Sequence, residues 1–288
     1  GVQTCALPIY VSKLPEEARP HCDSVVIGEA EVLWPALLRD LERGQLQPVY
    51  RHGESFPLLE QLPVPNWDLF RDKNYLPVHF VETARGCPLD CEFCAVTSAF
   101  GGQYRNRPSA EVLAELRGLR PFEGWLTLKN CVFFVDDNIA GNRARTRELL
   151  SRIGDLKLKW FGQASMNIAQ DTELLKLCQQ SGCMGLFIGF ETLSHATLRS
   201  IGKKVNRPEN YYEVVKKIHD YGIGIDGSFV FGFDTDDDGV FDRTLEFIQS
   251  AKIEVAYFSI LTPYPGTRLH DRLAAEGRVL TRDWSLYD

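Results

Sequence analysis

The sequence has no long apolar run, no excess of positive charge and no regular framework of cysteines. No stretch reaches the roughly 18 to 20 apolar residues that a membrane-spanning helix needs, so we expect no transmembrane segment. Lys and Arg number 32 against 39 Asp and Glu, which gives a net charge of −7. We therefore expect a globular protein for which nucleic acid is not the partner.

The eight cysteines are scattered without the regular spacing of a disulfide framework. A chain of 288 residues is long enough to bury a core without disulfides. A reducing, cytoplasmic setting is therefore expected, and there a cluster of thiols favours metal binding or catalysis. Cys131, Cys178 and Cys183 fall on strand or helix faces, so they are predicted to be core thiols.

The two ends of the sequence predict a fragment of a longer protein, because the chain begins without Met and no helix closes its last residues. Residues 1–9 resemble the translation of a sequencing-adapter end and are excluded from fold reasoning; a natural N-terminal strand is the alternative. Residues 10–44 combine a β-branched run with a helical pattern, which resembles the end of an α/β domain. Residues 45–77 contain five prolines and are predicted to be an extended linker.

From residue 78 the pattern alternates between apolar strands and amphipathic helices. Such alternation predicts parallel strands with right-handed crossovers, covered on both faces. The predicted fold class is therefore α/β: a partial TIM-type (βα)6 barrel over 78–265, with an open doubly wound sheet as the alternative. Residues 266–288 are expected to begin a truncated C-terminal extension. The six predicted strands are 78–84, 131–137, 159–166, 185–191, 224–233 and 255–261.

Three thiols, Cys87, Cys91 and Cys94, lie within eight positions on the loop that follows the first barrel strand. Ligands collect at the carboxyl ends of strands in such folds, and Gly86 and Pro88 favour a wrapped loop there. Three thiolates can hold three irons of a [4Fe–4S] cluster and leave the fourth iron open. A zinc site completed by His79 or a distant Cys is the alternative, although the spacing is not a usual zinc pattern. Thiols with no shared role are a further one.

The C-x3-C-x2-C spacing, with aromatic Phe93 before the last Cys, resembles the radical S-adenosylmethionine (SAM) superfamily. The resemblance covers residues 78 to 265. It implies that Cys87, Cys91 and Cys94 are the catalytic and metal-binding residues and that Phe93 is a cofactor-binding residue. It also implies that SAM binds the open iron, and that an electron from the cluster cleaves SAM to methionine and a 5′-deoxyadenosyl radical.

Further cofactor-binding residues follow from the same resemblance, at the ends of the later strands. Asp136, Asp137 and Asn138 end the second strand, where relatives contact the SAM ammonium, and acid and amide groups suit that cation. This chain departs there from the usual Gly-Gly-Glu form. The alternative for each of the three residues is a cap of the following helix.

The third and fourth strands end in groups that suit the rest of SAM. Gln163, Ser165 and Asn167 are short polar groups suited to ribose hydroxyls, with a turn or cap as the alternative for Asn167. Gly189 and Glu191 match the family's Gly-x-Ile-x-Gly-x-x-Glu region, with a structural acid as the alternative for Glu191. Lys203 aligns with a position that meets the SAM carboxylate, whereas its ordinary role would be a solvated helix end.

The segment before the linker resembles the end of the Rossmann-like cobalamin-binding domain found in one branch of the family. This resemblance implies cobalamin as a third cofactor and a methyltransferase that acts on an unactivated carbon. A small-molecule or lipid-like substrate and an electron donor such as flavodoxin or ferredoxin are the expected partners. The alternatives are a methylthiotransferase, a ring-forming or rearranging enzyme, and a non-enzymatic iron–sulfur electron carrier.

Overall fold

The computed structural model describes residues 8–53, 55–70, 78–120, 131–283 and 286–287. The chain forms two compact units, each built from more than one segment. The smaller unit comprises residues 1–58, 91–103 and 262–288, and the larger unit comprises residues 59–90 and 104–261. The boundary between them passes through the thiol loop, so Cys87 belongs to the larger unit and Cys91 and Cys94 belong to the smaller one.

The helices and strands of the described residues alternate along most of the chain. The strands are β1 (Val25–Ile27), β2 (Val49–Arg51), β3 (His79–Val81), β4 (Ala84–Arg85), β5 (Arg105–Asn106), β6 (Cys131–Phe134), β7 (Lys159–Ala164), β8 (Cys183–Glu191), β9 (Gly224–Phe231) and β10 (Val255–Ile260). The α-helices are α1 (Pro8–Lys13), α2 (Pro15–Ala18), α3 (Ala30–Glu42), α4 (Ala95–Phe100), α5 (Ser109–Gly118), α6 (Arg143–Ile153), α7 (Thr172–Gln180), α8 (His195–Ser200), α9 (Tyr211–Asp220), α10 (Val240–Ala251) and α11 (Arg268–Ala275).

The larger unit is built on one six-stranded sheet whose order is β10-β9-β8-β7-β6-β3. All five neighbouring pairs are parallel, as the alternating sequence pattern predicts. The helices α5 to α10 lie between these strands in the chain. The predicted α/β fold class, a partial TIM-type barrel, is confirmed. Its strands all run in one direction, so their carboxyl ends meet at one edge.

Aromatic side chains fill the space between the sheet and the helices of the larger unit. Phe190 of β8 stacks on Phe229 of β9, with ring centroids 5.3 Å apart. Tyr211 of α9 and Phe247 of α10 both contact Phe190, at 5.1 and 5.5 Å. Alternate residues of β8 and β9 therefore face the helices, and the residues between them face the other side of the sheet.

Strand β10 differs from the expectation of strands covered on both faces. Tyr257, Phe258 and Ile260 are 49%, 57% and 76% exposed. In the part of the chain that the structure describes, β10 is an edge strand that pairs only with β9. Edge position alone does not explain the exposure, because β3 at the other edge of the sheet keeps His79 and Val81 buried. An apolar run by itself does not say what packs against the faces of a strand.

A second, smaller ladder lies beside the thiol loop in the larger unit. Strands β4 and β5 pair antiparallel, with Ala84 opposite Asn106 and Arg85 opposite Arg105. The first predicted strand, 78–84, is thereby divided between the barrel strand β3 and the separate strand β4. Through β5, the chain pairs with the segment just before the thiol loop, and α5 begins after this pairing.

The smaller unit contains a parallel pair, β1 and β2, joined through α3. Val25 and Ile27 of β1 are buried with Val11 and Ala18, whereas Val26 is buried with residues of α3 and β2. This β-α-β arrangement includes a strand, Val49–Arg51, inside the stretch that was predicted to be an extended linker. The prolines of this stretch predicted a linker. The strand was not predicted, because a strand of three residues shows little apolar periodicity.

Parts of the predicted domain organisation lie outside the described residues. These include residues 1–7 of the adapter-like segment and residues 71–77 of the predicted linker. Residues Pro8 and Ile9 of the former are helical, as the first residues of α1. Among the described helices, none combines the length and apolarity needed to cross a bilayer.

Candidate functional site

The first thiol, Cys87, follows β4 at the carboxyl-end side of the barrel strand β3. Its side chain is half-buried. The amide Nδ2 of Asn138, which follows β6, lies 3.8 Å from the Cys87 sulfur and donates to it. Gly86, just before it, has a φ of +91°, a left-handed conformation that glycine adopts without strain.

Cys91 and Cys94 lie in the smaller unit, on a tight turn that leads into α4. The Cys94 backbone N–H donates to the Cys91 carbonyl oxygen at 3.2 Å, and Cys94 is the N-cap residue of α4. Cys91 is buried, and Phe93 and Cys94 are half-buried. None of the three loop cysteines forms a disulfide.

Helix α11 contacts the same turn within the smaller unit. The Leu269 backbone N–H donates to the carbonyl oxygen of Glu92, which lies between Cys91 and Cys94, at 3.1 Å. Arg272 of α11 donates through Nε to the Glu92 carboxylate at 2.7 Å. The turn that carries the second and third thiols is therefore held by a backbone contact and an ion pair from one helix.

Asp136 is completely buried at the end of β6. Its Oδ1 accepts from the backbone N–H groups of Thr83 and Ala84 at 2.6 and 3.1 Å, and its Oδ2 accepts from the Thr83 hydroxyl at 2.5 Å. Burial raises the pKa of Asp136 to about 7, although these hydrogen bonds oppose the shift. Asp136 therefore contacts the segment before the thiol loop with both oxygens.

Asp137 and Asn138, the residues after Asp136, contact the next residues along the same segment, Gly86 and Cys87. Asp137 is half-buried and accepts from the Gly86 backbone N–H at 2.9 Å. Burial is also the main cause that raises the pKa of Asp137. The alternative that these residues cap the following helix is wrong, because the cap of α6 is Asn142, whose side chain accepts from the Arg145 N–H.

The predicted ribose-binding residues form a polar group at the end of β7. Asn138 Nδ2 donates to the Ser165 hydroxyl at 3.0 Å, and that hydroxyl donates to Asn167 Oδ1 at 2.6 Å. The Asn167 carbonyl accepts from Arg143 at 2.9 Å, and Asn167 lies in a short 3-10 helix, Met166–Gln170. Gln163 is half-buried, and its own carbonyl oxygen accepts from the Ile139 N–H at 2.8 Å. Strand ends β6 and β7 are thus joined by side-chain amides and a hydroxyl.

Strand β8 ends in a buried ion pair. The Lys203 ammonium donates to the Glu191 carboxylate, and the two side chains are 10% and 7% exposed. The alternative that Lys203 is a solvated helix end is therefore wrong, because its side chain is buried against Glu191 and α8 already ends at Ser200. Gly189 lies against this pair, and a Cβ there would require the ends of both side chains to shift.

Sequence reasoning missed three residues beside these groups. Thr83 supplies two of the three hydrogen bonds to Asp136, and Asn206 donates to the carbonyl oxygens of Gly189 and Phe190. The ring of Tyr104 packs so closely on Gly141 that a Cβ would not fit there. Burial, followed by the nearby charges of Asp136 and Cys87, raises the pKa of Tyr104. Single polar residues outside a recognised motif carry no signal that would have identified them.

The remaining cysteines and His79 separate the metal alternatives. Cys131, Cys178 and Cys183 are buried, and burial raises the pKa of each thiol, so the prediction of core thiols is confirmed. His79 begins β3, and its Nε2 lies 3.0 Å from the carbonyl oxygen of Arg120. No three His, Cys, Asp or Glu side chains among the described residues, the three loop thiols included, are arranged as ligands of a single metal ion. The zinc alternative gains no support from these residues.

The thiol donors are of the kind that an iron–sulfur group takes. Thiolate is the ligand that iron–sulfur clusters use, and a nearby N–H donor to sulfur is a usual partner of such a ligand. Cys87 has that donor in Asn138. The residues present therefore fit a thiolate-bound cluster.

Comparison with known proteins gives the same family. The model of the radical SAM superfamily matches residues 81–248. Bacteriochlorophyllide d C-12(1)-methyltransferase of Chlorobaculum tepidum is 35% identical over 97% of this chain and 61% of that protein. The hopanoid C-2 methylase of Rhodopseudomonas palustris is 28% identical over 92% of this chain and 51% of that protein. The chain thus spans between half and two thirds of the length of these relatives.

A solved structure shares the fold. The radical SAM methyltransferase TsrM from Kitasatospora setae, with tryptophan substrate and a SAM analogue bound, superimposes with a TM-score of 0.72 at 17% identity. The match covers 93% of this chain and 57% of TsrM. With the family model matched over the thiol loop and the strands that follow it, this chain belongs to the radical SAM superfamily.

Proposed function

We propose that this chain binds a [4Fe–4S] cluster through Cys87, Cys91 and Cys94 and uses it to cleave SAM reductively. The observation that carries the proposal is the Asn138 N–H aimed at the Cys87 sulfur, at the edge where the carboxyl ends of the parallel strands meet. Three thiolates leave one of four irons without a protein ligand, which is where SAM is expected to bind. When bound, the cluster supplies the electron that cleaves SAM to methionine and a 5′-deoxyadenosyl radical.

The chain's own residues would then hold SAM in place. Gln163 and Asn167 keep accessible surface at the end of β7, where their amides suit the ribose hydroxyls. Asp137 is also accessible and suits the SAM ammonium. Ser165 and Lys203 are better shielded, so we propose that they orient Asn167 and Glu191 at the ends of β7 and β8.

We further propose that the whole protein is a cobalamin-dependent methyltransferase acting on an unactivated carbon. Two relatives are named for methylation, of bacteriochlorophyllide d and of hopanoids, which supports a small-molecule or lipid-like substrate. The β1-α3-β2 unit supports the proposed end of a Rossmann-like cobalamin-binding domain at residues 10–44. An electron donor such as flavodoxin or ferredoxin would reduce the cluster in a cytoplasmic setting.

The methyltransferase proposal is tested with the anaerobically reconstituted whole protein, dithionite and SAM, with and without added hydroxocobalamin. We expect 5′-deoxyadenosine in both cases and S-adenosylhomocysteine, the product of methyl donation, only when cobalamin is present. Formation of 5′-deoxyadenosine without any cobalamin-dependent S-adenosylhomocysteine would favour a ring-forming or rearranging enzyme. Absence of both products would contradict the radical chemistry itself.

A further inference from the structure

Three consecutive residues at the end of β6 contact successive points of the segment that leads to Cys87. Asp136 accepts from Thr83 and Ala84, Asp137 accepts from Gly86, and Asn138 donates to the Cys87 sulfur. The contacts follow the same order in both segments and all lie within the larger unit. We call residues 136–138 the β6 clamp.

We propose that the β6 clamp positions Cys87 and tunes the reduction potential of the cluster that this thiolate would ligate. The inference rests on the proposed function, because it needs a cluster at Cys87. Asp136 and Asp137 hold the backbone that leads to Cys87, and Asn138 contacts its sulfur. Asp136 and Asn138 are positioning residues, because they act through the loop and its thiolate. Asp137 adds this positioning contact to its proposed contact with the SAM ammonium.

Asp136 has no accessible surface left for a bound ligand. Each of its oxygens already accepts from Thr83, and Oδ1 also accepts from Ala84. A buried carboxylate persists only when hydrogen bonds replace its lost solvation, and backbone N–H groups are effective donors to a charged oxygen. The carboxylate therefore joins the end of β6 to the start of the thiol loop at a place closed to solvent.

The orientation of the Asn138 amide follows from its other partners. Oδ1 accepts from the backbone N–H groups of Ala140 and Ser165, both at 3.2 Å. Because an amide oxygen cannot donate, the Nδ2 group is the one directed at Cys87. Both ends of the side chain are thus held, and the donor is fixed toward the sulfur.

An N–H donor at a ligating sulfur stabilises negative charge on that thiolate. Reduction adds negative charge to a cluster, so such hydrogen bonds raise the reduction potential. Asp at position 138 has the same shape but replaces the donor with a carboxylate beside the sulfur. That change is expected to destabilise the reduced cluster relative to the oxidised one and so to lower the reduction potential.

The first test compares Asn138→Asp with the matched variant Asn142→Asp. Asn142 caps α6 by accepting from Arg145, a role that Asp fills equally well. The readout is the midpoint potential of the reconstituted cluster, followed by electron paramagnetic resonance during a redox titration. We expect a more negative potential for Asn138→Asp and the wild-type potential for Asn142→Asp. Equal potentials in all three proteins would overturn the role of Asn138.

The second test needs no cluster, so its failure is separable from failure of the proposed function. Backbone hydrogen–deuterium exchange of residues 83–87 is measured in the cluster-free chain. Asp137→Ala removes the acceptor of the Gly86 N–H and should accelerate exchange at that amide roughly tenfold. Asp137→Asn keeps an acceptor oxygen and should restore slow exchange. Wild-type exchange in Asp137→Ala would overturn the clamp, whatever the cluster does.

Discussion

The Lys203 ammonium and the Glu191 carboxylate form an ion pair of which about nine tenths is buried. Glu191 occupies a left-handed conformation, with φ of 64°, where the pairing of β8 with β9 shifts register. The Asn206 side-chain amide donates to the backbone carbonyl oxygens of Gly189 and Phe190, which precede Glu191. The end of β8 is thus an irregular backbone that is held by side chains.

Removing only one member of this pair should destabilise the larger unit strongly. Lys203→Met leaves the Glu191 charge buried without compensation, which costs about 3–5 kcal/mol. The double variant Lys203→Met with Glu191→Gln should recover much of that loss, because no unpaired charge remains. Urea denaturation followed by circular dichroism measures both; a single variant as stable as wild type would contradict the buried pair.

The Tyr211 hydroxyl supports the same strand end from α9. Its single hydrogen is shared between the carbonyl oxygens of Phe190 and Thr192, at 3.0 and 3.1 Å. Tyr211→Phe therefore removes this donor from the Thr192 carbonyl, whereas the Phe190 carbonyl keeps Asn206. We expect a loss of about 1–3 kcal/mol in the free energy of unfolding. Tyr212 is the matched control, because it is the next residue on α9 and is 50% exposed. Tyr212→Phe should change stability by less than about 0.5 kcal/mol. Equal losses for the two variants would show that the hydroxyl contacts are not the cause.

The ion pair between Arg272 and Glu92 should protect the turn that carries Cys91 and Cys94. Arg272 is 42% exposed, so Arg272→Gln should change overall stability by no more than about 1 kcal/mol. Because the pair holds the turn locally, both thiols should react faster with a maleimide reagent in the cluster-free variant. Arg278→Gln, which changes a pair with Glu276 instead, is the control. Unchanged labelling rates in Arg272→Gln would exclude a local role for the pair.

The raised pKa of Asp136 predicts a specific dependence of stability on pH. Its pKa of about 7 in the folded chain lies above the value near 3.9 of an unfolded Asp, so the folded state binds the proton more tightly. The resulting stabilisation is complete below about pH 4 and is lost as pH rises through about 7. Asp136→Asn should remove this part of the slope between pH 4 and 7. Identical slopes for wild type and variant would contradict the raised pKa.

The alternation of strands and helices was predictable because each element repeats its apolar period over several residues. Gly182 follows α7 with a φ of +91°, and a Cβ there would collide with the Leu158 carbonyl oxygen, so this glycine marks the end of the helix. Asp171 precedes α7 and caps it by accepting from the Leu174 N–H. Both signals are local in the chain, and local signals survive folding well.

The site was predictable in position but not in its contacts. Asp136 was expected to face a ligand because it ends a strand, yet its partners lie more than 50 residues earlier, at Thr83 and Ala84. Lys203 was expected to meet the SAM carboxylate, with a solvated helix end as the alternative, and neither expectation included its partner Glu191 at the preceding strand end. Such pairings depend on how strand ends meet in space, which no single segment of sequence records.

The most direct test of the central claim is SAM cleavage by the anaerobically reconstituted chain and its cysteine variants. We expect the wild type to contain about four iron and four sulfide ions per chain and to form 5′-deoxyadenosine. We expect both the cluster and 5′-deoxyadenosine formation to be lost in Cys87→Ser, Cys91→Ser and Cys94→Ser. Cys22→Ser is the matched control, because Cys22 lies outside the loop and donates only to the Ala18 carbonyl, a bond that Ser can keep. It should behave as wild type. Undiminished 5′-deoxyadenosine formation in all three loop variants would contradict the account.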